Sequence, residues 1–274
     1  MKNKLSILVL SLSFLFLVVS VAFAKPREVK EKKGFSLPPT AIQVSDDVYY
    51  LGKSKDVNGK EVEGFAFIRR KGPEAKGGNP VKPPKGSSCY GFLAKGAKWK
   101  GIPEDWIVNP ANTRALDGSF VFGSLGADIS KWEVAAGKDI LGQGSSTDKV
   151  LEADTTSPDG ENEVYFADIK DSDTIAVTII WGYFSGPPQT RQLLEWDQVY
   201  DDVTFDWSLE TAGVTGKMDF ENIATHELGH SVGMNDIYTT GCSEVTMYGY
   251  AGYGETKKRT LEIPDITGVS KLYE

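Results

Sequence analysis

The chain has 274 residues, of which 40% are hydrophobic and 25% are charged, a composition typical of a globular protein. Its 30 Lys and Arg residues stand against 38 Asp and Glu residues, and the net charge of −8 argues against a general nucleic-acid-binding protein. Two cysteines exclude a disulfide-rich scaffold and a four-cysteine zinc site within the chain, and two histidines exclude a site with three imidazole ligands.

The first residues have the pattern of a secretory signal peptide. Lys2 and Lys4 precede an uncharged run, residues 5–23, and the small-residue pattern Ala-Phe-Ala follows at residues 22–24. We therefore predict a signal peptide over residues 1–24 and a secreted, extracellular protein with no stable membrane insertion after cleavage. The alternative is an uncleaved membrane anchor, because the run is nearly as long as the ~20 residues that span a bilayer.

Export would place both cysteines in an oxidising compartment, where Cys89 and Cys242 are most simply joined in one disulfide bond. A bridge that closes so long a loop contributes about 4–5 kcal/mol to the free energy of unfolding in the chain-entropy treatment. The alternative is that Cys89 is a free thiolate that caps a metal ion.

Residues 25–88 differ from the rest of the chain because they are rich in Lys, Gly and Pro. Within them, residues 48–51 and 62–68 are predicted to be the strands of a hairpin, with Asn58-Gly59 as the turn. The Pro- and Gly-rich residues at about 71–88 predict a linker. We expect this segment to be propeptide-like or accessory; the alternative is an interaction module that remains on the active protein.

The rest of the sequence predicts one globular domain over residues 89–274. Strands are predicted where β-branched and aromatic residues cluster, and helices where apolar residues recur with helical spacing. The predicted strands cover residues 105–109, 163–169, 173–181 and part of 193–203, and the predicted helices cover residues 128–140, 220–232 and 264–273. Strands interspersed with helices indicate an α+β fold with a mixed sheet.

The motif with the clearest chemistry is His-Glu-x-x-His at residues 226–230. On a helix, His226 and His230 lie one turn apart on the same face, so both imidazoles can reach one metal ion. Glu227 is rotated by about 100° from His226 and can approach a metal-activated water without being a ligand. Zinc suits this pattern, because it binds neutral imidazole and lowers the pKa of bound water to about 7.

The alternative is an exposed helix with two surface histidines. Three features weigh against it: the motif uses both histidines of the chain, Gly233 follows where the helix could end, and Met247 lies in a short segment beyond. Gly233 allows a left-handed turn that brings the chain back towards the metal. Because the chain has no third histidine, a third protein ligand must be a carboxylate. Asp236 is the best placed, its alternative role being that of a solvated loop acid.

The segment from His226 to Asp236, His-Glu-Leu-Gly-His-Ser-Val-Gly-Met-Asn-Asp, with Thr-Met-Tyr at residues 246–248, resembles the metzincin metallopeptidases and in particular the matrixins. Matrixins have His at the position of Asp236, whereas the snapalysin-like metzincins are similar to this sequence in having Asp there. Weaker similarities extend the resemblance over about residues 89–274. It implies a zincin catalytic domain with a twisted mixed β-sheet, an active-site helix and a C-terminal helix, preceded here by the small β-rich segment.

The resemblance also implies a function. It indicates a secreted zinc-dependent endopeptidase that acts on protein or peptide substrates, with zinc bound by His226, His230 and Asp236. Glu227 would be the general base that takes a proton from the metal-activated water. The strand over residues 173–181 is expected at the edge of the cleft, where an extended substrate can pair with it.

Further residues near the motif receive roles from the same resemblance. Met247 is expected to form an apolar floor below the metal. Tyr248 or Tyr250 would stabilise the oxyanion or line the primed pocket, with a purely structural role as the alternative. A second zinc held by further histidines is not expected. Calcium is an open alternative, because residues 154–163 and the pair Asp201-Asp202 supply oxygen-rich loops, which are otherwise solvated turns.

Two alternatives remain at this stage. The inhibitory motif of the family places its cysteine between Arg and Gly, whereas Cys89 lies between Ser88 and Tyr90, so a disulfide with Cys242 is favoured over a cysteine switch. The alternative function is a secreted or cell-surface binding protein with a metzincin fold and a structural zinc, against which the retained Glu227 argues. The sequence does not predict an oligomeric state.

Overall fold

A computed structural model of the protein describes residues 34–72 and 88–274. The predicted signal peptide and most of the predicted linker lie outside these ranges. Among the described residues, no helix is long and apolar enough to cross a membrane.

Eleven strands and three α-helices form the described fold. The strands are β1 Ile42–Ser45, β2 Val48–Lys55, β3 Glu61–Lys71, β4 Trp106–Asn109, β5 Gly144–Ser146, β6 Glu163–Ala167, β7 Thr174–Tyr183, β8 Gln192–Asp201, β9 Trp207–Ser208, β10 Met218–Asp219 and β11 Tyr250–Ala251. The α-helices are α1 Gly118–Ala136, α2 Phe220–Ser231 and α3 Ile263–Tyr273. Short 3₁₀ turns lie at Leu93–Lys95, Pro188–Thr190, Thr240–Cys242 and Lys257–Arg259.

Nine of these strands form one mixed sheet in the order β1-β2-β3-β7-β8-β6-β4-β5, with β11 beside β3. Strands β5, β4, β6 and β8 are parallel, whereas β7 is antiparallel to β8. The arrangement confirms the predicted α+β fold with a mixed sheet.

Strand β7 lies inside the sheet and has a hydrophobic core on each of its faces. Ile180 packs into the larger core, which also contains the helices, while Ile179 and Trp181 pack into a smaller core on the other side. Burial on both faces explains why its sequence is almost continuously apolar instead of alternating.

The N-terminal hairpin forms at the predicted turn, and its second strand joins the main sheet. Gly59 takes the left-handed conformation, with φ of 79°, and Asp56 accepts hydrogen bonds from the backbone of Asn58 and Lys60. Strand β3 then pairs with β7 along almost its whole length. Strand β7 is therefore not a free sheet edge in this structure, because β3 is paired with it; the prediction that residues 173–181 line the cleft and pair with an extended substrate stays a prediction.

Helix α1 begins ten residues earlier than predicted. Asp117 caps it by accepting a hydrogen bond from the Phe120 amide, and Gly137 ends it in a left-handed conformation. Three glycines in its first three turns, which lower helix propensity, hid this start in the sequence. Ile140, the last residue of the predicted range, lies beyond the helix end and is buried.

The active-site helix and the closing helix lie where they were predicted. Asp219 caps α2 by accepting a hydrogen bond from the Asn222 amide at 2.8 Å. Cys89 and Cys242 are joined in a disulfide, as expected, with a Cα–Cα distance of 5.5 Å. The bridge connects the segment before the first 3₁₀ turn with the loop that precedes Met247.

Candidate active site

Helix α2 brings the two histidines together, and the turn after it brings Asp236 to them. Gly233 ends the helix with φ of 100°, and a β-carbon there would also come within 2.8 Å of the Ala97 carbonyl oxygen. Glycine is therefore required at this position for its backbone conformation and for close packing. The Met234 amide donates to the Gly229 carbonyl at 2.8 Å, which closes the turn and directs the following residues back over the helix.

Three ligand-type side chains converge at this point. Oδ1 of Asp236 lies 3.2 Å from Nε2 of His226, and Oδ2 of Asp236 lies 3.6 Å from Nε2 of His230. One ligand atom from each of the three residues lies within 4.8 Å of the others, and all three residues are buried. Two imidazole nitrogens and one carboxylate oxygen are a donor set that suits zinc.

Hydrogen bonds orient both imidazole rings. Nδ1 of His226 lies 2.7 Å from the Thr246 carbonyl oxygen, and Nδ1 of His230 lies 3.0 Å from the Met234 carbonyl oxygen. A carbonyl oxygen only accepts, so each Nδ1 carries the proton and each Nε2 presents its lone pair to the common centre. Burial lowers the pKa of His226 to about 3 and also lowers the pKa of His230, which keeps both rings in the neutral form that binds metals.

The carboxylate of Asp236 is ionised in spite of its burial. Desolvation raises its pKa, but the facing His230, His226 and Arg69 side chains outweigh this effect and hold the pKa at about 2. The site therefore combines one anionic carboxylate oxygen with two neutral ring nitrogens.

Glu227 lies beside the ligands and is fully buried. Its Oε2 accepts a hydrogen bond from the Thr178 hydroxyl at 2.6 Å, while its Oε1 has no hydrogen-bond partner among the described residues. Burial raises the pKa of Glu227 to about 8, although Arg69 and Thr178 oppose the shift. One oxygen is thus held by strand β7, whereas the other has no hydrogen-bond partner among the described residues.

Met247 packs against the histidine-bearing helix, and its expected role as a floor below a metal stays a prediction. A β-carbon at Gly229 would collide with the Met247 sulfur, so the absence of a side chain on the helix allows this contact. Asp265 accepts hydrogen bonds from the amides of Thr246 and Met247 at 2.9 and 3.2 Å. The same carboxylate thereby fixes the segment whose Thr246 carbonyl orients His226.

The two tyrosines that follow Met247 lie near the site. The rings of Tyr248 and Tyr250 pack edge to face at 5.9 Å, and their backbone carbonyls accept hydrogen bonds from the Arg69 guanidinium at 2.6 and 3.3 Å. A role for either hydroxyl in oxyanion stabilisation or in the primed pocket stays a prediction.

Sequence reasoning missed the residues that β3 contributes. Nη1 of Arg69 lies 3.1 Å from Nε2 of His226, and the Phe67 ring stacks on the His230 ring with centroids 4.6 Å apart. Both side chains are buried. The only signal in the sequence was an arginine directly after the apolar residues 65–68. A buried arginine requires partners, but the sequence did not show that Arg69 is buried or which groups it contacts.

A second cluster, in which Glu195 and Asp197 are buried and Asp154 is half-buried, lies elsewhere in the same domain. One carboxylate oxygen from each of Asp154, Glu195 and Asp197 lies within 4.8 Å of the others. Asp154 belongs to the loop that was singled out for calcium. Asp201 serves a different purpose, because one of its oxygens accepts hydrogen bonds from the three consecutive amides of residues 203–205 and shapes a turn.

Comparison with known proteins identifies the family. The sequence model of the matrixin family matches residues 131–274, which is more than half of the chain. A search of curated proteins gave no match. The matched residues include the active-site helix, the Asp236 turn, the Met247 segment and the closing helix. The chain belongs to the matrixins, a family of zinc-dependent peptidases within the metzincins.

Proposed function

We propose that this matrixin is a secreted endopeptidase whose zinc is held by His226, His230 and Asp236. The observation that carries the proposal is the convergence of three buried ligand atoms within 4.8 Å beside a buried glutamate. Secretion rests on the signal-peptide pattern of residues 1–24. The expected substrates are proteins or peptides.

The side chains of the site divide the work of peptide hydrolysis. When bound, zinc polarises the scissile carbonyl and makes water a stronger nucleophile at neutral pH. Oε1 of Glu227 accepts the proton of the attacking water and passes it to the leaving amine, while the Thr178 hydroxyl holds Oε2 in place. The Thr246 and Met234 carbonyls keep His226 and His230 in one tautomer and orientation.

We also propose calcium as a structural ion of the Asp154, Glu195 and Asp197 cluster. Hard carboxylate oxygens are the ligands that calcium prefers. Oδ2 of Asp154 and Oε1 of Glu195 are buried and have no hydrogen-bond partner among the described residues, so a cation would satisfy both. Both oxygens of Asp197 accept backbone hydrogen bonds, from the amides of Glu163 and Asp154, which hold the cluster together.

The test of the peptidase proposal combines metal content with hydrolysis. The purified chain should contain one zinc ion, and an Asp236→Ala variant should lose it on dialysis. Hydrolysis of a fluorogenic peptide mixture should require zinc, stop on addition of a chelator and disappear in Glu227→Gln. If zinc is bound but no form of the chain hydrolyses any peptide, the protein is instead the binding protein with a structural zinc.

A further inference from the structure

Strand β3 lies in the cleft as an extended peptide would. It runs antiparallel to β7, with Phe67 opposite Thr178, and parallel to β11, with Arg70 opposite Tyr250. Without β1–β3, the outer edge of β7 would be an open sheet edge, which is a common binding site for an added peptide strand. Thr178, the residue that bonds Glu227, lies at the centre of this edge.

The side chain of Arg69 points from β3 into the site. Its guanidinium donates to the Tyr248 and Tyr250 carbonyls and contacts Nε2 of His226 at 3.1 Å. Arg69 is only 2% exposed, and Glu227 and Asp236 are the largest favourable charges around it, acting against its desolvation. A buried arginine without these acidic neighbours would strongly destabilise the folded protein, so the surroundings of Arg69 favour a positively charged side chain.

A second side chain of β3 covers the other histidine. Phe67 stacks on His230, and Phe65, two residues earlier, makes an edge-to-face contact with Phe184 at 5.4 Å. A pocket next to these rings is also lined by Leu93, Ala94 and Ile180. The cleft therefore offers an apolar wall to aromatic side chains at alternating positions of an extended chain.

These contacts leave the site closed. His226, Glu227 and His230 are at most 1% exposed, and a peptide cannot reach them while β3 is in place. We infer that β3 is an intramolecular inhibitor that binds the cleft in the manner of a substrate, with Arg69 as its anchor. The inference rests on the proposed peptidase function. It also predicts which peptides the cleft binds. They are extended, with two aromatic side chains at the positions of Phe65 and Phe67 and a basic side chain at the position of Arg69.

Arg69 also bears on metal binding. Nε2 of His226 is the ligand atom proposed for zinc, and Arg69 directs a positively charged nitrogen at the same atom. A divalent cation bound to Nε2 of His226 would lie close to the guanidinium, and the two positive charges would repel each other. Arg69 and zinc therefore compete for His226, and moving β3 out of the cleft strengthens zinc binding as well as opening the site.

The test compares two neighbouring arginines in the full-length, zinc-loaded chain. Arg69→Ala removes the buried anchor, whereas the control Arg70→Ala removes partly exposed ion pairs with Asp47 and Asp171. Peptide hydrolysis by Arg69→Ala should exceed that of the wild type by at least about 30-fold. Arg70→Ala should change it by less than about fivefold. Competition with a chromophoric chelator should show zinc bound at least about tenfold more tightly in Arg69→Ala only.

A separate peptide with the sequence of β3 provides a second measurement of the same contacts. A synthetic peptide of residues 61–71 should inhibit the opened Arg69→Ala chain competitively, and the peptide with Ala in place of Arg69 should be at least about tenfold weaker. The peptide with Ala in place of Arg70 should inhibit nearly as well as the original. If Arg69→Ala does not fold, as judged by circular dichroism, Phe67→Ala takes its place with the same expectations.

The outcomes separate this inference from the proposed function. A wild-type chain that hydrolyses peptides as fast as Arg69→Ala, with unchanged zinc affinity and no inhibition by the peptide, overturns the inhibitory role of β3 and leaves the peptidase intact. Tighter zinc binding in Arg69→Ala without hydrolysis in any form overturns the peptidase and supports the contact between Arg69 and the metal site.

Discussion

Two clusters of ligand-type side chains lie in the same domain, and they differ in whether a positively charged side chain compensates their carboxylates. The first combines His226, His230 and Asp236, and a buried arginine from β3 faces it. The second consists of three carboxyl groups, and among the described residues none of them forms an ion pair or hydrogen bond with a lysine or arginine.

The pKa values of the two clusters reflect this difference. The nearby cation and imidazoles hold the pKa of Asp236 at about 2, so its carboxyl group stays charged. In the second cluster, burial and the charge of Asp159 raise the pKa of Asp154 to about 6, and burial and the charge of Asp154 raise the pKa of Glu195 to about 9. Burial and the charge of Glu195 raise the pKa of Asp197 well above its usual range. The first cluster is prepared for a metal at any ordinary pH, whereas the second must take up protons or a cation.

The largest expected effect is on hydrolysis at the first cluster. Glu227→Gln keeps the shape of the side chain but removes the proton acceptor, so the rate of peptide hydrolysis should fall by about 10²- to 10⁴-fold. Zinc content should be unchanged, because Glu227 is not a proposed ligand. The measurement is kcat together with metal analysis, in the Arg69→Ala background so that the cleft is open. Hydrolysis at the parent rate would show that another group moves the proton.

The next effect is on metal affinity. Asp236→Ala removes the only anionic ligand, so zinc affinity should fall by more than about 100-fold, beyond the 10- to 100-fold that changes around a ligand produce. Competition titration measures this value. Asp173→Ala, at an exposed aspartate on the surface before β7, is the matched control and should bind zinc as the parent does. Equal loss in both variants would remove Asp236 from the ligand set.

Calcium should act on the second cluster only. At a calcium concentration 100 times its dissociation constant, binding should raise the free energy of unfolding by about 2.7 kcal/mol. Thermal unfolding of the zinc-loaded chain with and without calcium measures this gain. Asp197→Asn should abolish it while leaving zinc content unchanged. A melting temperature that does not respond to calcium in the wild type would contradict the proposed calcium site.

The smallest expected effect is a dependence of stability on pH in the absence of calcium. The raised carboxyl pKa values mean that the folded state binds protons more tightly than the unfolded chain. The contribution of these protonated carboxyl groups to the free energy of unfolding is present in acid and is lost as the pH rises through about 6 to 9. The melting temperature of the zinc-loaded chain should therefore fall between pH 5 and pH 8, and calcium should reduce this fall.

Asp197→Asn is also the control for the pH experiment. With one carboxylate fewer, repulsion of Glu195 is weaker, so the fall in melting temperature should be shallower than in the wild type. A steeper or unchanged fall would place the titrating groups elsewhere.

The convergence of His226, His230 and Asp236 could be predicted because these residues are close together in the chain, whereas zinc binding by them stays a prediction. Helical spacing relates His226 to His230, and a single glycine turn relates them to Asp236, so short-range rules were sufficient. The α+β class and the positions of α2 and α3 followed from the same kind of local pattern.

The features that the sequence did not predict depend on long-range pairing. Arg69 meets His226 across 157 residues, and Glu195 meets Asp154 only because β8 passes behind the loop before β6. Strand pairing of this kind is set by the register of the whole sheet and leaves no periodic signal in either segment. For the same reason the hairpin of β2 and β3 was recognised, but its position over β7 was not.

Asp265 lies near the end of the chain, yet its hydrogen bonds fix the segment that orients His226. Its carboxylate holds the Thr246 and Met247 amides, and through Thr246 it fixes the ring of His226, which precedes it by almost forty residues in the chain. In chain order, the strand that carries Arg69 comes first, then the proposed zinc ligands, and Asp265 last. If folding follows chain order, we expect β3 to be available to cover the cleft before the proposed metal site takes its final geometry.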